Sequence, residues 1–181
     1  MKVQYYLASS LDGFIARKDD SLDWLMQFGD VSSTSYPVFI EQVGAMVMGA
    51  ATYEWIVRNL MTEPEAKWPY DCPVWVLTSR TLAAPGGADV RFARGDVRDL
   101  IGALRTAAAG RNIWVVGGGE LAGQFLDAGL LDEIIVQVTP VVLGAGKPLL
   151  PREFVNPPLR LQSMERYGEF AELRYAVPRA G

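Results

Sequence analysis

With 181 residues, half of them apolar, the chain is long enough to bury a sizeable core in one compact domain, and this composition excludes a disordered polypeptide. A formal charge of −4 leaves no basic footprint, so nucleic acid and anionic membrane are excluded as partners, and no stretch approaches the roughly 20 apolar residues that span a bilayer. One cysteine, Cys72, and no histidine remove disulfide frameworks, Cys/His zinc sites and histidine-dependent triads, so no metal is expected and proton transfer must use a carboxyl, a tyrosine, a lysine or water.

Val3 to Ala8 reads as a first strand. This start lacks the apolar core and small-residue cleavage site of a signal peptide, so a cytoplasmic location is expected. Ser9 to Gly13 is a turn in which Asp12 shapes the backbone through its side chain, leading to the short apolar pair Phe14-Ile15 and a polar loop, Arg17 to Ser21. Ser32 to Thr34 offers cap residues before a helix over Tyr36 to Gln42, with Pro37 in its first turn and Val38, Phe39 and Val43 on one side. Ala45 to Met48 is a buried strand ending at Gly49, and Thr52 falls in the first turn of a helix carrying Tyr53, Trp55 and Ile56. Thr62 to Asp71, rich in proline and charge, reads as a surface loop before the strand Pro73 to Leu77 and its polar exit Thr78-Ser79-Arg80. Asp89 to Phe92 is a strand, and Val97 to Ala109 a helix with Leu100, Ile101 and Leu104 inward that Gly110 stops.

The most telling run is Ile113 to Ala122, a β-branched strand that enters Gly117-Gly118-Gly119 and then helix-forming residues. Glycines at such a junction let backbone N–H groups approach an anion, and the positive end of the helix dipole favours phosphate. Gly117, Gly119 and Ala122 also satisfy G-x-G-x-x-A, the dinucleotide fingerprint of doubly wound sheets. That fingerprint opens a first βαβ unit and is followed by an acid, whereas this run begins past the midpoint and Ile134 to Val142 contains none. A phosphate site on another α/β sheet fits better. Gln124 to Ala128 completes the helix, Gly129 stops it, Glu133 to Leu143 is a long strand, and Leu159 to Glu165 and Glu169 to Val177 form a closing antiparallel hairpin around Tyr167-Gly168.

Ala8 to Ile15, Leu22-Asp23-Trp24, Val47 to Tyr53, Leu77 to Arg80, Val115 to Ala122, Ala128 to Glu133 and Thr139 to Gly146 together, in this order and spacing, resemble the dihydrofolate reductase-like family, in particular stand-alone relatives of the reductase domain of riboflavin biosynthesis, the RibD C-terminal domain. The resemblance covers nearly the whole chain. It implies a single domain over residues 1–181: a three-layer α/β/α fold with a mixed, mostly parallel central sheet and a C-terminal antiparallel hairpin. It also implies NADPH across the strand carboxyl ends. Ala8 and Ile15 would face the nicotinamide, and Gly49 and Thr52 the phosphates. Thr78, Ser79 and Arg80 would face the adenosine ribose and its 2′-phosphate, and Gly117, Gly118, Gly119, Glu120 and Leu121 the pyrophosphate. The chain departs from the family at Ala50, where a basic residue often follows the glycine, so NADP(H) preference rests mainly on Arg80.

In dihydrofolate reductases a carboxylate a few residues beyond the tryptophan anchors the pterin and assists its protonation. Here Asp23 and Asp30 compete for that role, each with a turn or cap as its structural alternative, and Trp24, Tyr36 and Phe39 are candidate walls for a flat heterocycle that also suit a core. The resulting expectation is an NADPH-dependent oxidoreductase that transfers a hydride to a small heterocyclic, pteridine- or pyrimidine-like, or carbonyl-type acceptor. The alternative is a nucleotide-binding sensor or scaffold without turnover. The relatives are commonly dimers, so a homodimer is expected, with the strand Ile134 to Leu143 and the closing hairpin as its surface.

Overall fold

The computed structural model describes residues 1–29, 31–63 and 65–179. Among them the strands are β1 (Val3–Ser9), β2 (Phe14–Ala16), β3 (Val43–Gly49), β4 (Val74–Leu77), β5 (Val90–Ala93), β6 (Asn112–Gly117), β7 (Glu133–Val138), β8 (Lys147–Pro148), β9 (Arg160–Tyr167) and β10 (Phe170–Ala176). The helices are α1 (Asp23–Met26), α2 (Tyr36–Glu41), α3 (Ala50–Leu60), α4 (Val97–Ala108) and α5 (Gly119–Asp127). Eight strands form one sheet in the order β5-β4-β3-β6-β1-β7-β10-β9, and β2 pairs with β8 outside it. All neighbours from β5 to β7 are parallel, whereas β10 and β9 run antiparallel, as the closing hairpin requires.

The apolar runs of the parallel strands serve two faces, because successive side chains point to opposite sides of the sheet. Tyr5, Ala45, Val47, Ile113, Val115 and Ile134 pack with α4 and α5, through Leu100, Ile101, Leu104, Ala122 and Phe125. Tyr6, Met46, Met48, Val76, Trp114 and Ile135 pack with α2 and α3, through Phe39, Tyr53 and Ile56. The sheet is thus the middle of three layers. No helix among the described residues is long and apolar enough to cross a membrane.

Two elements depart from the expected course. The strand predicted over Glu133 to Leu143 ends at Val138: Thr139 donates its N–H and its hydroxyl to the Ser9 carbonyl, and Pro140 has no N–H with which to continue a ladder. The chain then crosses the β1–β2 turn, where the Asp12 carboxylate accepts the N–H groups of Leu143 and Gly144 at 3.0 and 2.7 Å, so the predicted turn residue also ties down a second loop. Val38 does not share the buried side of α2. It is exposed, while Phe39 points inward and Val43 belongs to β3.

The hairpin buries one carboxylate. Glu172 on β10 is 1% exposed and accepts from the Ser35 hydroxyl, from Gln137 Nε2 at 2.9 Å and from Arg174 Nε at 2.9 Å. Gln137 also donates to the Tyr6 hydroxyl at 2.8 Å, and Tyr6 lies 3.2 Å from Ser35 Oγ, which closes a ring of four side chains joining β1, β7, β10 and the start of α2.

Candidate active site

A cavity of about 580 Å³ opens at the carboxyl ends of β1, β3 and β6, between α3, α5 and the β2–β8 ribbon. Its first wall is glycine backbone. Gly49 precedes α3 and Gly118 precedes α5, both in extended conformation, and neither helix start carries a side-chain cap. By contrast α4, the remaining long helix, is capped by Asp96, whose carboxylate accepts the Arg98 N–H at 2.7 Å. The free N–H groups of the first turns of α3 and α5 therefore line one cavity together, which is the donor set an anion needs.

The glycines have separate reasons to be glycine. Gly117 has φ of +137°, a backbone that side chains disfavour, and the Gly117–Gly118 peptide is cis. At Gly119 a Cβ would lie 2.4 Å from the Pro148 carbonyl oxygen and 2.6 Å from that of Leu149, so α5 starts directly against the strap that carries β8.

Of the residues assigned to a cofactor from sequence, Ala8, Ile15, Gly49, Thr52, Gly117, Gly118, Gly119 and Glu120 line this cavity. Arg152 grips the Glu120 carboxylate at 3.0 and 2.6 Å and holds it below the usual carboxylate range. Leu121 lies in the core under α5 rather than at the cavity. Thr78, Ser79 and Arg80 sit at the exit of β4, outside the cavity lining. Thr78 Oγ1 accepts the Arg80 N–H at 3.0 Å, and the Arg80 guanidinium makes a two-point ion pair with Glu54 of α3 at 2.8 and 2.9 Å.

The acceptor-side residues read from sequence fall elsewhere. Trp24, Tyr36 and Phe39 lie outside the cavity lining; Trp24 and Phe39 are buried, and Phe39 stacks on Tyr6 at 4.3 Å in a cluster that includes Tyr36 and Trp114. The Trp24 indole N–H has no hydrogen-bond partner among the described residues. Asp23 opens α1 and faces a neighbouring groove of about 450 Å³ with Asp19, Asp20, Arg58 and Asn59. Asp30 lies outside the described residues.

The far wall of the cavity is made instead by Leu22, Leu25, Trp55, Ile56, Leu60 and Tyr70, with Lys147 and Pro148 of the ribbon at its side. Trp55 and Ile56 had a sequence signal, the helical spacing after Gly49. Tyr70 had none, because it sits in the proline- and charge-rich segment read as surface, where Trp68 and Trp114 pack against its ring. Burial raises the Tyr70 phenol above its usual range, so the group is protonated at physiological pH.

A mostly parallel sheet with an antiparallel hairpin, covered on both faces and carrying a glycine-walled cleft at its strand ends, defines a dihydrofolate reductase-like α/β protein. In line with this, the dihydrofolate reductase of Enterococcus faecalis, solved as a complex with NADP(H), superimposes with a TM-score of 0.58 at 15% identity, covering 97% of this chain and 95% of that one. The chain belongs to the RibD C-terminal domain family, whose model matches residues 1–171. It is 32% identical to the uncharacterized protein YwjB of Bacillus subtilis, over 96% of this chain and 97% of that protein. A structure from Shewanella sp. PV-4, assigned to riboflavin biosynthesis, aligns with a TM-score of 0.80 at 29% identity over 99% of this chain and all of that one.

Proposed function

We propose that the protein is an NADPH-dependent reductase of a small flat acceptor, either a pteridine- or pyrimidine-like heterocycle or a carbonyl compound. The observation that carries this reading is the pair of uncapped helix starts, α3 and α5, opening on one cavity whose other end is apolar. The donor set suits a pyrophosphate, and the glycine wall leaves room for backbone approach. Bound NADPH would supply a hydride at its nicotinamide ring. The chain's own part is to hold the dinucleotide by those N–H groups and by Thr52, to place Ala8 and Ile15 beside the flat ring, and to exclude water with leucines and Trp55. Arg80 is the group for a 2′-phosphate, and Glu54 competes with that phosphate for the guanidinium.

A fluorescence titration with NADPH and NADH tests this. Micromolar NADPH binding is expected, with Arg80→Ala weakening NADPH about tenfold while leaving NADH unchanged, and with Glu54→Gln tightening NADPH alone by about threefold. No binding below the millimolar range would refute the reading. Tight binding without oxidation by any acceptor would favour a nucleotide sensor, the reading kept alive by the position of Asp23 outside the cleft.

A homodimer belongs to the same proposal, but not through β7, which is interior between β1 and β10. Of the sheet's two edge strands, β5 and β9, the one in the closing hairpin is β9, with Leu161 and Met164 exposed on it. Light scattering at micromolar concentration should give twice the 19.9 kDa chain mass, and a monomer would remove this element.

A further inference from the structure

The acceptor end of the cleft narrows the substrate class, on the reading just proposed. Trp55, Ile56 and Leu60 stand roughly 9 to 16 Å along α3 from Gly49, at 1.5 Å per residue, beyond the reach of the anion-binding N–H groups. With Leu22 and Leu25 they make a wall without charge. Among the described residues, the charged side chains that line the cavity are all engaged: Glu120 with Arg152, and Asp20 with Lys147 at 3.4 Å. The adjoining groove shares Asp20, Leu22, Trp55 and Leu60 with the cavity and, with Asp20 paired to Lys147, sets Asp19 and Asp23 against the guanidinium of Arg58. A phosphate tail leaving the cavity by this route would meet net negative charge at short range, which disfavours it. Hydroxyls remain, from Thr52 at the glycine wall and Tyr70 at the apolar end. Tyr70 lines the cavity and makes no hydrogen bond among the described residues.

We propose that the acceptor is an uncharged, flat, largely apolar carbonyl compound whose oxygen meets the Tyr70 hydroxyl, and not a phosphorylated heterocycle. The balance is that of a carbonyl reduction. The carbonyl carbon gains a C–H bond from the reduced nicotinamide cofactor, which leaves oxidised by two electrons. The C=O π pair moves onto oxygen, oxygen takes the Tyr70 proton, and water returns a proton to the phenolate.

The test uses 2-naphthaldehyde and 6-formyl-2-naphthoate, which differ by one carboxylate, with uridine 5′-phosphate as a phosphorylated pyrimidine. Dissociation constants are measured by calorimetry on the intact protein with and without NADPH, and NADPH consumption is followed separately. The aldehyde should bind at least tenfold tighter than either anion, and Leu60→Arg should narrow that gap. Tyr70→Phe should cut turnover of the aldehyde at least tenfold, with both the aldehyde and NADPH constants held within threefold. Equal or tighter binding of the anions would overturn the substrate class, and unchanged turnover in Tyr70→Phe would overturn the role of the phenol. If NADPH fails to bind while the aldehyde preference persists, the cofactor reading falls and the ligand class stands. If NADPH binds and the preference is missing, the ligand class alone falls.

Discussion

Glu172→Ala is expected to lower the free energy of unfolding by about 3 kcal/mol, at the lower end of the range for removing one partner of a buried ion pair. Three donors converge on this carboxylate, and two of them, Ser35 and Gln137, are themselves buried. Alanine leaves both without their acceptor and leaves Arg174 without its counter-charge. The magnitude stays at the lower end because the Arg174 side chain is 29% exposed and can turn toward water. For a chain of this size the loss corresponds to a fall in Tm of roughly 6 to 12 °C. Glu169→Ala, on the same hairpin but with its carboxylate in solvent, should change stability by less than about 0.5 kcal/mol. Urea unfolding of both variants decides the matter. A loss under about 1 kcal/mol for Glu172→Ala would mean that the ring of Tyr6, Ser35, Gln137 and Glu172 is not a stabilising unit.

Gly119→Ala is the second large effect, and it couples stability to the cleft. The added methyl would meet the carbonyl oxygens of Pro148 and Leu149, and these are backbone atoms with little freedom to retreat. Leu149 is held at both ends of its peptide groups: its N–H donates to Gly13 at 2.9 Å, and its carbonyl accepts the Tyr5 hydroxyl at 2.9 Å. Overpacking of this kind costs about 3 kcal/mol when neither side can relax. Because Pro148 lines the cavity, the shift that relieves the clash would also displace one wall of it. Gly118→Ala is the control, since its methyl would meet only the end of Ile15 at 3.9 Å, an ordinary contact. Thermal unfolding should separate the two variants by at least 5 °C, and NADPH titration should show the larger loss for Gly119→Ala. Equal behaviour would show that the strap yields easily.

The sheet was legible because its strands are short apolar runs closed by glycine, such as Ala45 to Met48 and Ile113 to Val116, the pattern of strands buried on both faces. The glycine wall of the cavity was legible for the same reason: Gly49, Thr52 and Gly117 to Gly119 stand at strand-to-helix junctions, where local geometry fixes their placement. The apolar wall was not. Its members come from a short helix, the far end of α3 and a loop, and no local pattern distinguishes Tyr70, which faces a cavity, from Phe39, which faces the core. Glu172 was hidden by its setting in a hairpin of alternating polar residues, where a carboxylate ordinarily points to water. What buries it is α2 and Gln137, both remote in sequence. The early end of β7 depended on Thr139 finding Ser9, again a partner that sequence proximity does not disclose.

The cavity wall has one more consequence, for the order in which the molecule acquires its properties. Its residues run from Leu7 to Pro151, and the ribbon on one side joins Phe14 and Ala16 to Lys147 and Pro148. No contiguous stretch contains the site. A chain emerging from a ribosome therefore gains the cleft only after Pro151 has been made and β8 has come back to β2. From then on a ligand at a hundred times its Kd adds about 2.7 kcal/mol to the stability of the whole fold, because binding and global folding are one equilibrium.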